Sequence, residues 1–404
     1  MKKIILILLA AAMAFSLCSC GGNSDSSLSN SEPVKVKNKD SNFDKYISNT
    51  AIATGNNYIV EQADKATYRA YFPVEESGNL EYCFYFSNTV DSTYDSGATA
   101  HASQSGGKYT IESAYIADGG SGPDDEIKNK TEVTFNGQKT KSVSENEVFW
   151  SDSLEFNVEE GHYLVWEWTL TGTNIPCTNM STLTSTTADL YGEGTFSYCD
   201  QIPLPQMIGA KRDVKHNIAA IGDSITQGCQ TEFMKYEFWA ARISSLLGDD
   251  YGFYNCGLGW SRTSDAALNG NWLERAKSAE TVIVAFGTND IISGEYNAET
   301  GNSAEEIDTY LRSVLDVLKD AGCKIIVFNA PPQDYNEELE NTRLKYNELC
   351  KKTCKEYGAE YFDFASYLSS ETEPAKPLYG AHPNGEGGKV VAEAFVEKYK
   401  DMLD

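Results

Sequence analysis

The alternation of apolar and polar residues predicts strands throughout the first half of the chain. Runs such as 67–72 and 80–86 alternate in this way and lie between clusters of Gly, Asn, Asp and Ser. This pattern is typical of β-strands, and no segment from 49 to 205 shows the period of an amphipathic helix. We therefore predict an all-β, jelly-roll-like sandwich over residues 49–205.

The pattern changes after residue 206, where strand and helix signals alternate. Five short apolar runs predict strands at 217–221, 253–256, 281–286, 324–329 and 360–364. Longer stretches with a helical period lie at 233–247, 304–321, 337–357 and 386–403. Repeated βα units of this kind form parallel sheets that are covered by helices on both faces. Residues 206–404 are therefore predicted to form a three-layer α/β/α domain around a parallel five-stranded sheet, with ligands at the carboxyl ends of the strands.

The first 48 residues carry a different signal. Two lysines followed by a continuous apolar run are typical of a signal peptide over residues 1–19. The segment Leu-Cys-Ser-Cys at 17–20 resembles a bacterial lipobox, and this resemblance implies lipidation at Cys20. Residues 20–48 are rich in Ser, Asn, Lys and Asp, which predicts a flexible tether. We therefore expect an extracytoplasmic, cell-surface lipoprotein that meets the bacterial membrane only through a lipid anchor.

Composition narrows the partners and cofactors. The chain has 33 basic and 59 acidic residues, which gives a net charge of −26. This charge disfavours nucleic acid, anionic membrane surfaces and polyuronic acids as partners, because each would meet net repulsion. None of the four histidines has a second histidine or a cysteine at ligand spacing, so no metal site is predicted. The cysteines after Cys20 are widely spread, and a chain of this size needs no disulfides to fold.

A serine at the end of a predicted strand is the first candidate for chemistry. Ser224 lies in the segment Ile-Gly-Asp-Ser-Ile-Thr-Gln-Gly at 221–228, directly after the first strand of the α/β half. In a strand-to-helix turn its hydroxyl would lie near backbone N–H groups that stabilise an anion, and it becomes a nucleophile once a base takes its proton. By itself, a Gly-Asp-Ser sequence is also ordinary turn chemistry.

Three later residues add polar groups at the same edge of the predicted sheet. Gly259 follows the second strand, Asn289 follows the third and His382 follows the fifth. The backbone N–H of Gly259 and the side-chain amide of Asn289 would complete an oxyanion hole with the N–H of Ser224. His382 would act as the base that removes the serine proton.

These four blocks, with Ser, Gly, Asn and His in that order, resemble the SGNH or GDSL family of esterases and acylhydrolases. The resemblance covers about residues 217–404. It implies a three-layer α/β/α fold and acyl transfer through an acyl-enzyme, with no metal and no organic cofactor. It also implies that Ser224 is the nucleophile, that His382 is the general base and acid, and that Gly259 and Asn289 are the oxyanion donors.

Two positions depart from the family pattern. The family usually has an Asp three residues before its His, and this chain has Tyr379 there. Either His382 works in a Ser-His dyad held by a backbone carbonyl, or a carboxylate from elsewhere orients it. The second departure is in the second block, where ungapped counting from Asn255 places the family's Gly at Trp260. The carboxylates that lie nearby in sequence are Asp363, Glu371 and Glu373.

A β-sandwich ahead of such a domain resembles some bacterial carbohydrate acetylesterases. This resemblance implies hydrolysis of short-chain esters, chiefly acetyl esters, on a polysaccharide or oligosaccharide. Aromatic residues near the predicted site suit sugar rings and a protein core equally well. These residues are Tyr236, Phe238, Trp239, Trp260 and Trp272. Two alternatives stay open, namely a lipase or lysophospholipase, and a catalytically weak carbohydrate-binding lipoprotein, which Tyr379 in place of Asp would explain.

Overall fold

The structure is a computed structural model that describes residues 40–92, 104–179, 183–297, 301–333, 335–368, 378–379 and 382–404. The predicted signal peptide, the predicted lipidation site Cys20 and the tether residues 20–39 lie outside the described residues. No helix within the described ranges combines the length and the apolar character that crossing a membrane requires.

Strands fill most of the first half of the chain, and strands and helices alternate in the second half. The described strands are β1 (Ile47–Ser48), β2 (Tyr58–Pro73), β3 (Gly78–Ser87), β4 (Tyr109–Asp118), β5 (Lys128–Glu132), β6 (Lys141–Val143), β7 (Val148–Trp150), β8 (Leu154–Val158), β9 (Tyr163–Asn179), β10 (Thr186–Asp189), β11 (Ser197–Tyr198), β12 (Gln201–Ile202), β13 (Met207–Ala210), β14 (His216–Gly222), β15 (Tyr251–Gly257), β16 (Thr281–Ala285), β17 (Lys324–Phe328), β18 (Glu360–Phe362), β19 (Leu378–Tyr379) and β20 (His382–Pro383). The described helices are α1 (Asn42–Lys45), α2 (Ser224–Gln227), α3 (Trp239–Leu247), α4 (Thr263–Ala267), α5 (Asn271–Ala276), α6 (Thr288–Asn297), α7 (Ala304–Asp320), α8 (Glu337–Tyr357) and α9 (Gly385–Leu403).

The N-terminal half contains two antiparallel sheets. In the first sheet the strand order is β1-β13-β3-β7, and β8 pairs with β3. In the second the order is β11-β10-β2-β9-β4-β5, with β12 beside β9 and β6 beside β4. The two sheets contact each other through aromatic rings, because Phe84 of β3 lies 4.7 Å from Trp166 of β9 between ring centroids. The β-rich character of this half is confirmed, and its jelly-roll connectivity stays a prediction.

The C-terminal half contains a five-stranded sheet with the order β15-β14-β16-β17-β18. All of its neighbouring strands are parallel. In this register Gly222, the last residue of β14, lies beside Gly257 of β15 and Ala285 of β16. The carboxyl ends of the three strands therefore meet at one edge of the sheet, where ligands of such sheets bind. The α/β class predicted for this half is confirmed.

Helices cover both faces of this sheet. Successive strand residues point to opposite faces, so both faces can carry apolar side chains that pack against helices. Ile218 and Ala220 of β14 are buried in one cluster with side chains of α3 and α9. Ala219 and Ile221 are buried in a second cluster with side chains of α7 and α8. A strand that is apolar on both faces is what a sheet between two helix layers requires.

The structure differs from the prediction at two boundaries. The predicted tether over 20–48 is ordered at its end, where α1 and β1 bury Phe43 and Tyr46. The predicted boundary between 205 and 206 also moves, because β13 (207–210) belongs to the first antiparallel sheet, between β1 and β3. Both segments are short and pair with strands that are distant in the sequence. Neither is long enough to show a hydrophobic pattern that would predict it. The helix predicted over 233–247 likewise begins only at Trp239.

A buried ion pair joins the strand-rich half to the α/β half. Asp91 accepts a hydrogen bond from the guanidinium of Arg275 in α5 at 2.8 Å, and each side chain is only 1% exposed. Removing one partner of such a pair leaves an uncompensated buried charge. We therefore expect Asp91→Ala to lower the free energy of unfolding by about 3–5 kcal/mol, measured by urea denaturation.

A matched control is the exposed pair between Lys215 and Asp250, whose side chains are 63% and 61% exposed. Solvent screens such a pair, so Asp250→Ala should leave the free energy of unfolding nearly unchanged. Equal small losses in the two variants would contradict a stabilising role for the buried pair.

Candidate active site

The nucleophile candidate lies in the turn that follows β14, the strand between β15 and β16. Asp223 caps α2 by accepting a hydrogen bond from the N–H of Ile225 at 2.9 Å, and burial raises the pKa of its carboxyl to about 7. Ser224 is the first residue of α2 and is partly exposed. The turn needs glycine before it, because a Cβ on Gly222 would lie 2.5 Å from the carbonyl oxygen of Ala285. The nucleophile turn can therefore sit directly against the end of β16.

The structure brings Ser224 and His382 together, although 158 positions separate them. The Nε2 atom of His382 lies 2.7 Å from the Oγ atom of Ser224, which is hydrogen-bond distance. His382 lies on β20, which pairs with β19 and precedes α9. Burial lowers the pKa of His382 to about 4. The imidazole is therefore neutral at neutral pH, the form that can accept the serine proton.

The second imidazole nitrogen meets no orienting group among the described residues. The Nδ1 atom of His382 is buried and has no hydrogen-bond partner there. Asp363 accepts a hydrogen bond from the side-chain amide of Asn329 at 2.9 Å. Glu371 and Glu373, the other two carboxylates considered, lie outside the described residues. At position 379 the backbone pairs with His382 in the β19–β20 ladder.

The N–H of Gly259, the first predicted oxyanion donor, already has an acceptor within the protein. It donates to Oε1 of Gln227 at 3.0 Å, and the carbonyl of Gly259 accepts from the side-chain amide of Asn57 at 3.0 Å. The next residue, Trp260, has a φ of +63°. Glycine adopts this left-handed backbone most readily, and here a tryptophan adopts it.

Asn289, the second predicted oxyanion donor, is linked to the nucleophile turn through Ser261. Its side-chain amide donates to the carbonyl of Ser261 at 2.9 Å, and the hydroxyl of Ser261 donates to the carbonyl of Gly222 at 2.9 Å. The N–H of Leu258 also donates to Gly222 at 2.9 Å. These bonds hold the ends of β14, β15 and β16 together, and so they place Asn289 next to the nucleophile turn.

Three residues that brace the site were not predicted from the sequence. The side-chain amide of Gln227 donates to the carbonyl of Asn179 at 2.9 Å. The N–H of Asn179 in turn donates to Oδ1 of Asn57 at 3.0 Å. Asn57 and Asn179 come from the strand-rich half, so that half supports the loop that contains Gly259. An asparagine 202 positions from its partner leaves no local signal in the sequence.

Of the five aromatic residues predicted to lie near the site, three are buried and two are partly exposed. Phe238, Trp239 and Trp272 are at most 3% exposed. Tyr236 packs against Tyr163 at 6.2 Å between ring centroids, and Trp260 is partly exposed. Within the described ranges, no group of three or more His, Cys, Asp or Glu side chains is placed to hold a metal ion.

A serine hydroxyl against a neutral imidazole, at the carboxyl edge of a parallel sheet, is typical of α/β serine hydrolases. Residues 220–390 match the model of the GDSL-like lipase/acylhydrolase family. Residues 220–390 are therefore similar to this family, as the four sequence blocks predict.

Among curated proteins, the chain is similar to an acetylxylan esterase of Xylanibacter ruminicola, with 25% identity over 243 residues. That match covers 52% of this chain, and the chain spans 50% of the relative. This chain is also similar to the solved structure of a carbohydrate acetylesterase family member from Sinorhizobium meliloti, with 16% identity and a TM-score of 0.38. The match covers 46% of this chain and 99% of that chain. A second similar structure is an aryl esterase of M. smegmatis, with 17% identity and a TM-score of 0.39. That match covers 46% of this chain and 100% of the esterase chain.

Proposed function

We propose that this protein is a carboxylic ester hydrolase that works through a Ser-His pair. The observation that carries the proposal is the 2.7 Å distance between Ser224 Oγ and His382 Nε2 within a GDSL-like domain. His382 takes the proton as Ser224 Oγ attacks the ester carbonyl, and a tetrahedral oxyanion forms. When the C–O bond to the alcohol breaks, His382 returns the proton to the leaving oxygen. His382 then deprotonates a water molecule that attacks the acyl carbonyl, and it returns the proton to Ser224 Oγ as the acyl–oxygen bond breaks and the carboxylic acid leaves.

The oxyanion needs donors around the carbonyl oxygen. The N–H of Ser224, the side-chain amide of Asn289 and an N–H of the second block fill this role in our proposal. In the second block the donor is the N–H of either Gly259 or Trp260. If it is Gly259, the oxyanion must replace Gln227 as acceptor.

We propose a dyad without a carboxylate. This is supported by the absence of any hydrogen bond to Nδ1 of His382 from the described residues. A serine hydrolase keeps much of its rate acceleration without the orienting carboxylate, because the base and the oxyanion donors remain.

The proposed substrate is an acetyl ester on a neutral polysaccharide or oligosaccharide. The similar protein of Xylanibacter ruminicola is an acetylxylan esterase, and this chain spans half of its length. The net charge of −26 supports a neutral polysaccharide over a polyuronic acid, since a polyanion would meet net repulsion. The signal-like segment over 1–19 and Cys20 support an extracytoplasmic lipoprotein, anchored by lipid at the cell surface.

The test compares acyl chain length and substrate. The purified protein is assayed on acetyl and longer-chain nitrophenyl esters, and acetate release is measured from acetylated xylan and acetylated mannan. We expect faster turnover of acetyl esters and release of acetate from a polysaccharide. Faster turnover of long chains would support the lipase alternative, and the absence of Ser224-dependent turnover would favour the carbohydrate-binding alternative.

The bond from Asn57 predicts an effect of the strand-rich half on catalysis. Asn57→Ala removes the donor to the Gly259 carbonyl and loosens the second-block loop. We expect kcat for nitrophenyl acetate to fall about tenfold with little change in KM, because misplaced donors act on the transition state. Steady-state kinetics measure both constants. The control is Asn79→Ala, an exposed asparagine that contacts Glu155, and an equal loss there would contradict the positioning role.

A further inference from the structure

A cavity of about 760 Å³ lies in the strand-rich half, outside the residues assigned to catalysis. Its walls include the start of β2 with the residue before it (57–62), the end of β11 together with β12 and the residues between them (198–201), and Leu190. The volume falls within the range of pockets that hold small molecules and short oligomers. The cavity is large enough for several sugar rings.

The lining combines an exposed aromatic ring with polar groups. Tyr198 is 60% exposed and lies on β11, which pairs with β10, so its ring is held at the surface by the sheet. Leu190 is 47% exposed beside it in the lining. An exposed aromatic ring offers a flat apolar face, which suits the C–H face of a pyranose ring. Glu61 and Gln201 add acceptors for sugar hydroxyls.

The wall of the cavity includes a tyrosine whose hydroxyl is buried. Tyr68 lines the cavity, is 1% exposed, and its hydroxyl has no hydrogen-bond partner among the described residues. A buried hydroxyl without a partner costs free energy, and a ligand hydroxyl would satisfy it.

The charge of the lining selects against anions. Glu61 and Asp200 contribute carboxylates, and no Lys or Arg is present among the described residues that line the cavity. A phosphate, sulfate or uronate would therefore meet repulsion with no compensating cation. A neutral glycan fits both the polar groups and the charge.

One residue of the cavity wall contacts the loop beside the proposed nucleophile. Asn57 forms part of the cavity lining, and the side-chain amide of the same residue donates to the Gly259 carbonyl at 3.0 Å. Asn57 therefore connects the cavity wall to the second-block loop, which is bonded to the nucleophile turn through Leu258 and Ser261. We propose that this cavity binds the backbone of a neutral oligosaccharide whose acetyl group reaches Ser224. This inference rests on the proposed esterase function and assigns the strand-rich half a part in substrate binding.

The experiment uses the full chain and three probes: xylohexaose, mannohexaose and hexagalacturonate, none of them acetylated. Calorimetry on the Ser224→Ala variant measures binding without turnover. We expect a neutral hexasaccharide to bind and hexagalacturonate not to bind. Adding Tyr198→Ala should raise Kd at least tenfold, and adding Tyr68→Phe should raise it severalfold. In proteins with Ser224 intact, Tyr198→Ala should also lower the ratio of kcat/KM for acetylated xylooligosaccharide to that for nitrophenyl acetate.

The control is Tyr191→Ala, because this tyrosine is 82% exposed, lies near Leu190 in sequence and does not line the cavity. It should change neither Kd nor the kinetic ratio. The inference is overturned if neither neutral hexasaccharide binds, or if Tyr198→Ala changes Kd and the ratio no more than Tyr191→Ala does. Failure of the esterase proposal is distinct, since it appears as absent turnover of nitrophenyl acetate in the unmodified protein.

Discussion

Ser224→Ala is expected to lower kcat/KM for acetyl esters by about 10⁴-fold or more, because alanine lacks the hydroxyl of the proposed nucleophile. In the structure Ser224 Oγ lies 2.7 Å from His382 Nε2, so the serine can lose its proton without a large movement. The measurement is initial-rate kinetics on nitrophenyl acetate, with unfolding curves to show that the variant is folded. A residual activity above a tenth of the wild-type value would exclude Ser224 as the nucleophile.

The two residues of the pair should act as one unit. His382→Ala is expected to cause a loss of similar size, and the double variant Ser224→Ala/His382→Ala should be little worse than either single variant. The control is Ser313→Ala, since the Ser313 hydroxyl only donates to the carbonyl of Thr309 on α7. Losses that multiply in the double variant would show that the two side chains work independently.

The second large effect is on the pH dependence. Burial lowers the pKa of His382 to about 4, so the imidazole stays neutral and able to act as a base well below pH 6.5. We expect kcat/KM to keep its value down to about pH 5 and to fall to half near pH 4. Acetate release measured between about pH 3.5 and pH 8 reports this acidic fall in kcat/KM, and a midpoint near 6.5 would contradict the effect of burial on the imidazole.

A substitution at position 379 extends this test. Tyr379→Asp places a carboxylate three residues before His382, opposite it in the β19–β20 ladder. A negative charge beside the imidazole stabilises its protonated form. The acidic limb of kcat/KM should therefore move to higher pH in this variant, while Tyr379→Phe should leave the limb in place. No movement of the limb would show that position 379 does not face the imidazole.

The same pKa shift links pH to stability. His382 is neutral in the folded protein down to about pH 4, whereas in the unfolded chain it takes up a proton near pH 6.5. The unfolded state therefore binds more protons between these values, and the contribution of His382 to stability is lost as the pH falls from 6.5 through 4. This loss should be absent in His382→Ala.

The order of elements in the C-terminal half was predictable because its signals are local. The apolar run of β14 and the turn at Ser224 follow one another directly in the sequence. The stripe of α7, with Ile307, Leu311 and Leu318 buried, follows from the helical period alone. The same holds for Asn289, which lies just after a predicted strand, whereas His382 lies between the last predicted strand and the last predicted helix.

The short elements and the braces of the site were not predictable from local patterns. Strand β13 has four residues and is held by β1 and β3, which come from far earlier in the chain. Asn57 and Gln227 are defined by hydrogen bonds to a loop that neither adjoins in sequence. In the sequence such residues cannot be distinguished from other polar residues, because their hydrogen-bond partners are distant in the chain.

The amino-acid sequence by itself determined the class of the C-terminal fold and the residue types at its ligand edge, because hydrophobic periodicity and strand-end motifs are properties of neighbouring residues. Only the tertiary structure decided which of these groups meet. It set the 2.7 Å contact of Ser224 with His382 and left Nδ1 of His382 without a partner among the described residues. It also directed the N–H of Gly259 to Gln227. These are distances between residues that are remote in the chain, and packing alone sets them.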